Sequence, residues 1–199
     1  MARVPSADGP SIVVLGGPNG AGKSTAAPRL LRGALRVDEF VNADTLAQGL
    51  SAFRPEAAAV GAARVMLGRF EDLVRTRRSF ACESTLASVM LAGRLIKWRG
   101  LGYRIHVVYL WLPNVEMALL RVKLRVETGG HDVPAATIRR RFERGRANFF
   151  GRYMAIADRW RLYDASPASG PVVIATGQAP DRRRILKSEL WQRAVGHVR

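Results

Sequence analysis

The chain has little of several things. Cys82 is the only cysteine among 199 residues, so no intrachain disulfide can form and a cysteine-based zinc cluster is disfavoured. Lysine is scarce, with 4 against 28 arginines, and acids are outnumbered, with 16 Asp and Glu against 32 Lys and Arg. No apolar run approaches the length of a membrane span. The stretch Met1–Pro10 lacks the apolar segment of a secretory signal, so a cytoplasmic location is the expectation. Internal repeats and low-complexity linkers are absent, and the length fits one domain over residues 1–199.

What is abundant is positive charge. The net charge is +16 and the pI about 11.5, which points to an anionic partner: a nucleotide, a nucleotide sugar, nucleic acid or an acidic protein. Arginine far exceeds lysine, and alanine, glycine and valine are plentiful. That balance reads as GC-rich coding bias plus a phosphate-rich site, ahead of a dedicated nucleic-acid surface. Trp98, Trp111, Trp160 and Trp191 are scattered and read as core residues, and no stripe interleaves aromatic with basic residues.

One motif stands out. Gly17-Pro18-Asn19-Gly20-Ala21-Gly22-Lys23-Ser24 fits G-x-x-x-x-G-K-[ST], a phosphate-binding P-loop, and Thr25 opens the segment after it. The context is right. Ile12-Val13-Val14-Leu15 reads as a buried strand before it, and Thr25–Leu31 as a helix after it. Glycines let the backbone curl so that N–H groups converge on an anion, and the helix N-terminus adds partial positive charge. Lys23 supplies a point charge for β- and γ-phosphates, and the Ser24 hydroxyl suits Mg²⁺.

Strand and helix patterns alternate along the chain, as in a three-layer α/β fold around a mostly parallel sheet. Strands are expected near 11–16, 37–41, 79–83, 103–110 and 171–176, five in all. Helices are expected over 55–77, 114–128 and 181–195, with two more inside 135–161. Val115, Leu119, Val122 and Val126 mark the buried face of 114–128. Thr128–Pro134, rich in glycine, reads as a flexible insertion between arginine-bearing helices, where a lid over about 125–141 belongs.

Ligands of parallel sheets sit at the carboxyl ends of strands. Two acids fall there. Asp44, in Val41-Asn42-Ala43-Asp44-Thr45, is either a general base for a substrate hydroxyl or the cap of the next helix. Glu83, in Ala81-Cys82-Glu83-Ser84-Thr85, is poorly placed for packing and well placed for a substrate hydroxyl or Mg²⁺-bound water, whereas Ser84 or Thr85 can cap a helix. Cys82 reads as a small buried residue rather than a nucleophile. Arg121 and Arg125 share a helix face, and Arg139, Arg140, Arg141, Arg144 and Arg146 follow the glycine loop. Glu143, four after Arg139, is expected to pair with it. Arginines left over suit the spreading charge of a transferring phosphoryl group. His131, alone in the loop, reads as a hydrogen-bonding residue.

Taken in order, P-x-G-A-G-K-S-T, V-N-A-D-T, F-A-C-E-S-T-L, R-V-K-L-R-V-E-T-G-G-H-D-V-P, I-R-R-R-F and D-R-W-R-L-Y-D-A-S resemble the zeta-toxin-like family of P-loop kinases, from about residue 11 to 166. The resemblance implies an ATP- and Mg²⁺-dependent kinase that phosphorylates a hydroxyl of a UDP-sugar such as UDP-N-acetylglucosamine, and a small protein antitoxin as partner. It implies that Gly17 to Thr25 hold ATP, with Ser24 on the metal, and that Asp44 is the catalytic aspartate. It places Glu83 and Thr85 with the substrate, where Asp44, Ser84 and Arg121 are expected as well, and Arg125 with Arg140 or Arg141 across donor and acceptor phosphates. The chain is shorter than plasmid-borne zeta toxins and its lid loop differs. A polynucleotide-end kinase or nucleic-acid-binding ATPase is the alternative that the charge supports, and a regulatory nucleotide-binding module a third.

Overall fold

The computed structural model describes residues 9–34, 37, 39–50, 59–130, 132–179 and 182–196. Strand β1 (Ser11–Gly16) leads through the P-loop into α1 (Lys23–Pro28), which widens into π-type turns through Ala34. Then come β2 (Phe40–Val41), α2 (Ala43–Leu50), α3 (Ala59–Arg75), β3 (Phe80–Ser84), α4 (Met90–Gly100) and β4 (Arg104–Trp111). Helices α5 (Val115–Glu127) and α6 (Ala135–Asn148) follow, then a π-type turn at Phe149–Tyr153 and the short α7 (Met154–Ile156). The chain closes with β5 (Arg159–Asp164), β6 (Val172–Gln178), β7 (Arg182–Ile185) and α8 (Ser188–Val195).

The sheet runs β2-β3-β1-β4-β5-β6-β7. The first five positions are parallel, whereas β6 and β7 are antiparallel additions at one edge. Strand alternation splits the core in two. Ile12 and Val14 face a layer that holds Phe70, Leu95, Trp98, Tyr153 and Trp191, and Val13 and Leu15 face one that holds Ala27, Leu31, Ala118, Val122 and Phe142. Helices therefore cover both faces, as the alternating pattern predicts.

The sheet has seven strands, not five. Residues 159–161 fall at the end of the region 135–161 expected to hold two helices, and they instead begin the fifth parallel strand, 159–164, paired with β4 from His106↔Arg159 to Trp111↔Asp164. Its arginines at 159 and 161 break the apolar run that marks a central strand, which is why it reads poorly. The segment expected as the fifth strand is β6, and it runs antiparallel. The span expected as one helix over 181–195 holds β7 and then α8. On α5 the buried positions are Ala118 and Val122, and Val126 is exposed. All four tryptophans are buried. Among the described residues no helix is long and apolar enough to cross a membrane.

Candidate active site

The carboxyl ends of β1, β2, β3 and β5 open on one edge of the sheet, because these strands are parallel. The P-loop sits there by close backbone packing. Gly17 has φ 145°, and a Cβ on it would lie 2.5 Å from the carbonyl oxygen of Leu110. Gly20 has φ 77° and abuts the α5 backbone at the carbonyl of Ala118. Gly22 has φ 74° and faces open space, so only its backbone conformation demands glycine. Within the loop Ala21 N donates to Pro18 O at 3.2 Å, and Gly22 leads directly into α1.

Lys23 is buried, with Nζ donating to the Pro18 carbonyl at 2.9 Å and lying 3.5 Å from Glu83 Oε1. The Ser24 hydroxyl donates to Glu83 Oε2 at 2.8 Å. Asn42 Nδ2 donates to the same oxygen at 2.9 Å. One carboxylate at the tip of β3 thus gathers an ammonium, a hydroxyl and an amide. Its side chain is only 12% exposed. Burying such a charge is tolerable because each oxygen has a partner. Glu83 is therefore part of the P-loop cluster, not a detached residue at the strand end.

Asn42 is the residue that reading the sequence passed over. It is buried, and its Oδ1 accepts from Thr45 N at 3.4 Å, which caps α2. The cap of that helix is thus Asn42. The capping alternative for Asp44 is overturned, since Asp44 lies in the first turn of α2. The Asp44 side chain is outside the described residues, as is His131.

The segment after β3 is held in a fixed shape. Ser84 Oγ accepts from Leu86 N at 3.0 Å, and Leu86 has φ 58°, a left-handed conformation that costs a leucine about 1 kcal/mol or more. Neither Ser84 nor Thr85 caps α4, whose first turn is met by Ser88 Oγ at Met90 N. The Ser84 hydroxyl is thus engaged in this turn. Gly145 of α6 lies directly on the carbonyl of Thr85, Asn148 Nδ2 donates to Leu86 O at 2.7 Å, and the Tyr153 hydroxyl donates to Ser88 O at 3.1 Å.

The arginines separate by role. Arg121 spends both terminal nitrogens on the carbonyls of Ala165 and Ser166, at 2.7 and 2.8 Å. It pins the loop after β5, and that loop walls a cleft of about 350 Å³ beside the P-loop, lined by residues such as Ala21, Thr25, Ala26, Leu30, Tyr163 and Pro167. Glu83, Ser84 and Thr85 do not line this cleft, so Arg121 belongs to its side of the site. Arg139 pairs with Glu116 at 3.2 Å, while Glu143 pairs with the buried Arg146 at 2.9 Å; the expected Arg139–Glu143 pair does not form. Arg140 is exposed and Arg141 is half-buried. Arg141 and Gly145 are one turn apart, which puts Arg141 on the flank of α6 that meets the tip of β3.

Arg125 sits where α5 ends. Gly130 N donates to Arg125 O at 2.8 Å and Gly129 N to Val126 O at 2.9 Å, with Gly129 at φ 84°: a Schellman cap. Gly130 also packs on the Arg125 stem, 2.5 Å from Cγ for an added Cβ. At the other end, the Pro134 carbonyl receives the N–H groups of Thr137 and Ile138. The two glycines of the expected insertion are thus helix-capping residues.

Burial pushes the Cys82 thiol up to about 12, with the neighbouring Glu83 carboxylate adding to the effect. Cys82 is accordingly a core residue, as expected.

Residues 12–150 match the AAA domain family AAA_33, and the chain belongs to that family. An uncharacterized protein of Haemophilus influenzae is 29% identical over 126 residues, which is 63% of this chain and 88% of that one. The AvrRxo1-ORF1:AvrRxo1-ORF2 complex with ATP contains a chain of the same fold, with TM-score 0.70 and 18% identity over 94% of this chain and 64% of that one. This chain thus spans less than two thirds of the AvrRxo1 chain. A chain of the PezAT chromosomal toxin–antitoxin system of Streptococcus pneumoniae matches with TM-score 0.65 and 15% identity, over 96% of this chain and 80% of that one. At these identities the likeness to the AvrRxo1 and PezAT chains is one of fold.

Proposed function

We propose that the protein is an ATP-dependent phosphotransferase that moves the γ-phosphoryl group of ATP onto a hydroxyl of a small anionic acceptor, a UDP-sugar such as UDP-N-acetylglucosamine. The observation that carries this reading is the junction of Lys23, Ser24, Asn42 and Glu83 at the mouth of the P-loop. The cleft beside α1, mainly apolar and bounded by Tyr163 and the Arg121-pinned loop, suits a nucleobase. The AvrRxo1 neighbour with ATP supports the same donor.

The oxygens of Ser24 and Glu83, 2.8 Å apart, are the hard donors that Mg²⁺ prefers, so the residues present fit the ion. Bound there, Mg²⁺ would neutralise charge on the β- and γ-phosphates. The chain's own groups do the rest. The P-loop N–H groups and Lys23 hold the donor phosphates. Asp44 takes the proton of the acceptor hydroxyl as its oxygen bonds to γ-phosphorus and the bridging P–O bond to ADP breaks. Arg125 and Arg141, from the segment 125–141, stabilise the charge on the moving phosphoryl group. Glu83 and Thr85 border the acceptor at the tip of β3.

The neighbour from the PezAT toxin–antitoxin system and the two-component AvrRxo1 complex favour a small protein antitoxin as a partner. The test is ATP consumption with UDP-sugars by wild type and Asp44→Asn. A lost general base should lower kcat by about 10²–10⁴-fold. Equal rates would remove Asp44 from its assigned role.

A further inference from the structure

A second basic site lies away from the P-loop. The pairings His106↔Arg159, Arg159↔Gln178 and Gln178↔Arg182 form one row across β4 to β7. The pairings Val108↔Arg161, Arg161↔Thr176 and Thr176↔Arg184 form the next row on the same face. The rows are two residues apart, about 7 Å, and within a row the arginines flank β6 about 10 Å apart. These four arginines are exposed, with Thr176 and Gln178 between them, and they line an open cleft of about 670 Å³. Val108 on this face packs in the core layer under α5 and α6, and the sheet runs on past that layer, leaving the grid uncovered.

Among the described residues, Arg159, Arg161, Arg182 and Arg184 make no ion pair with a carboxylate. The neighbouring acid, Asp158, has its Oδ2 on the Ile105 N–H. Charges on an edge strand guard against sheet-to-sheet pairing, and that explains Arg182 and Arg184. It does not explain Arg159 and Arg161, two strands inboard. No arginine lies directly opposite another, since Thr176 and Gln178 stand between them, so the sheet tolerates the four charges. Four cations converging on one open cleft make a favourable seat for an anion. The field is felt at His106, where burial first and then Arg159, with Arg104 and Arg161, pull the imidazole pKa below its ordinary value against the opposing pull of Asp158.

We infer that this β5–β6–β7 arginine cleft binds the phosphodiester backbone of a polynucleotide. Paired guanidiniums at a repeating separation, with a hydroxyl and an amide between them, match repeated phosphates. Trp160, which lines the cleft, is buried, so among the described lining residues no ring is offered for base stacking and the phosphates are the groups engaged. The site is separate from the transfer centre, and it stands or falls without the kinase reading.

The test is fluorescence anisotropy with labelled single-stranded RNA, single-stranded DNA and duplex DNA of about 12 nucleotides, at about 50 and 200 mM salt. The variants are Arg161→Gln/Arg184→Gln and its control Arg161→Lys/Arg184→Lys. The expected result is binding that weakens with salt, falls about tenfold in the Gln pair, and shows a log–log salt slope smaller by about 1.4 for a single strand. The Lys pair retains binding, and thermal unfolding and binding of a non-hydrolysable ATP analogue are unchanged in both. Whichever of the three probes binds best names the form of the backbone. Absence of binding at low salt, indifference to the Gln pair, displacement by the ATP analogue, or tighter binding of a polyglutamate peptide at the same arginines would each overturn the inference.

Discussion

The Ser24 hydroxyl and the Glu83 carboxylate, 59 positions apart in sequence, meet at 2.8 Å. The contact exists because β1 and β3 are parallel neighbours in register, Leu15 against Glu83 and Gly16 against Ser84, so both strands release their next residues at one edge. Removing the Glu83 charge while keeping its shape should therefore act on the metal-dependent step. In Glu83→Gln, kcat should drop by about 10²–10³-fold and the Mg²⁺ concentration for half-maximal rate should rise. A Mg²⁺ titration of ATP turnover measures both.

Asn42 has two tasks that substitutions can separate. Asn42→Ala removes the α2 cap and should lower the unfolding free energy by about 1 kcal/mol. Asn42→Ser restores a capping oxygen, but its shorter side chain cannot reach Glu83, which now sits 2.9 Å from Asn42 Nδ2. Stability should then recover in denaturant unfolding while turnover stays low. Recovery of both would show that Asn42 acts only as a cap.

The P-loop glycines should differ in why they are needed. Gly17→Ala meets the Leu110 carbonyl as well as an unfavourable φ, so it should cost about 2–3 kcal/mol of stability. Gly22→Ala has only the strained φ, so it should cost about 1 kcal/mol. Urea unfolding of the two variants side by side gives the comparison.

Much of this site was legible in the sequence, because its parts are local. The P-loop, the strand before it, and the acids after β2 and β3 each carry their signal within a few residues. The Glu83 cluster was not legible, since the register that brings position 83 to position 24 is set by strand pairing. Asn42 went unassigned because Asp44, two residues on, offered the more obvious carboxylate. Arg146 is buried by the tertiary fold against expectation for its type, and only Glu143 beside it hints at this. β5 was hidden by Arg159 and Arg161, whose exposure comes from an uncovered sheet face that no local pattern announces.

The Cys82 thiol should be inert in the folded protein. With a native pKa raised from 9.0 to about 12, it keeps its proton at pH 8 and is shielded in the core. A disulfide reagent at pH 8 should label it only on unfolding. The raised pKa also has a stability consequence. The unfolded thiol ionises near pH 9 while the folded one does not, so its contribution is full below about pH 9 and is lost as pH rises toward 12. Unfolding midpoints measured through that window should fall, and fall less in Cys82→Ala.

Phosphoryl transfer through the Lys23–Ser24–Glu83 junction is the claim on which the functional reading rests. Mass spectrometry of UDP-N-acetylglucosamine and of a metabolite extract, each incubated with ATP, Mg²⁺ and either wild type or Lys23→Ala, tests it most directly. The account predicts an acceptor that gains the mass of one phosphate with wild type and not with Lys23→Ala. A wild-type protein that binds ATP but phosphorylates nothing in either mixture, or a mass gain that survives Lys23→Ala, would contradict it.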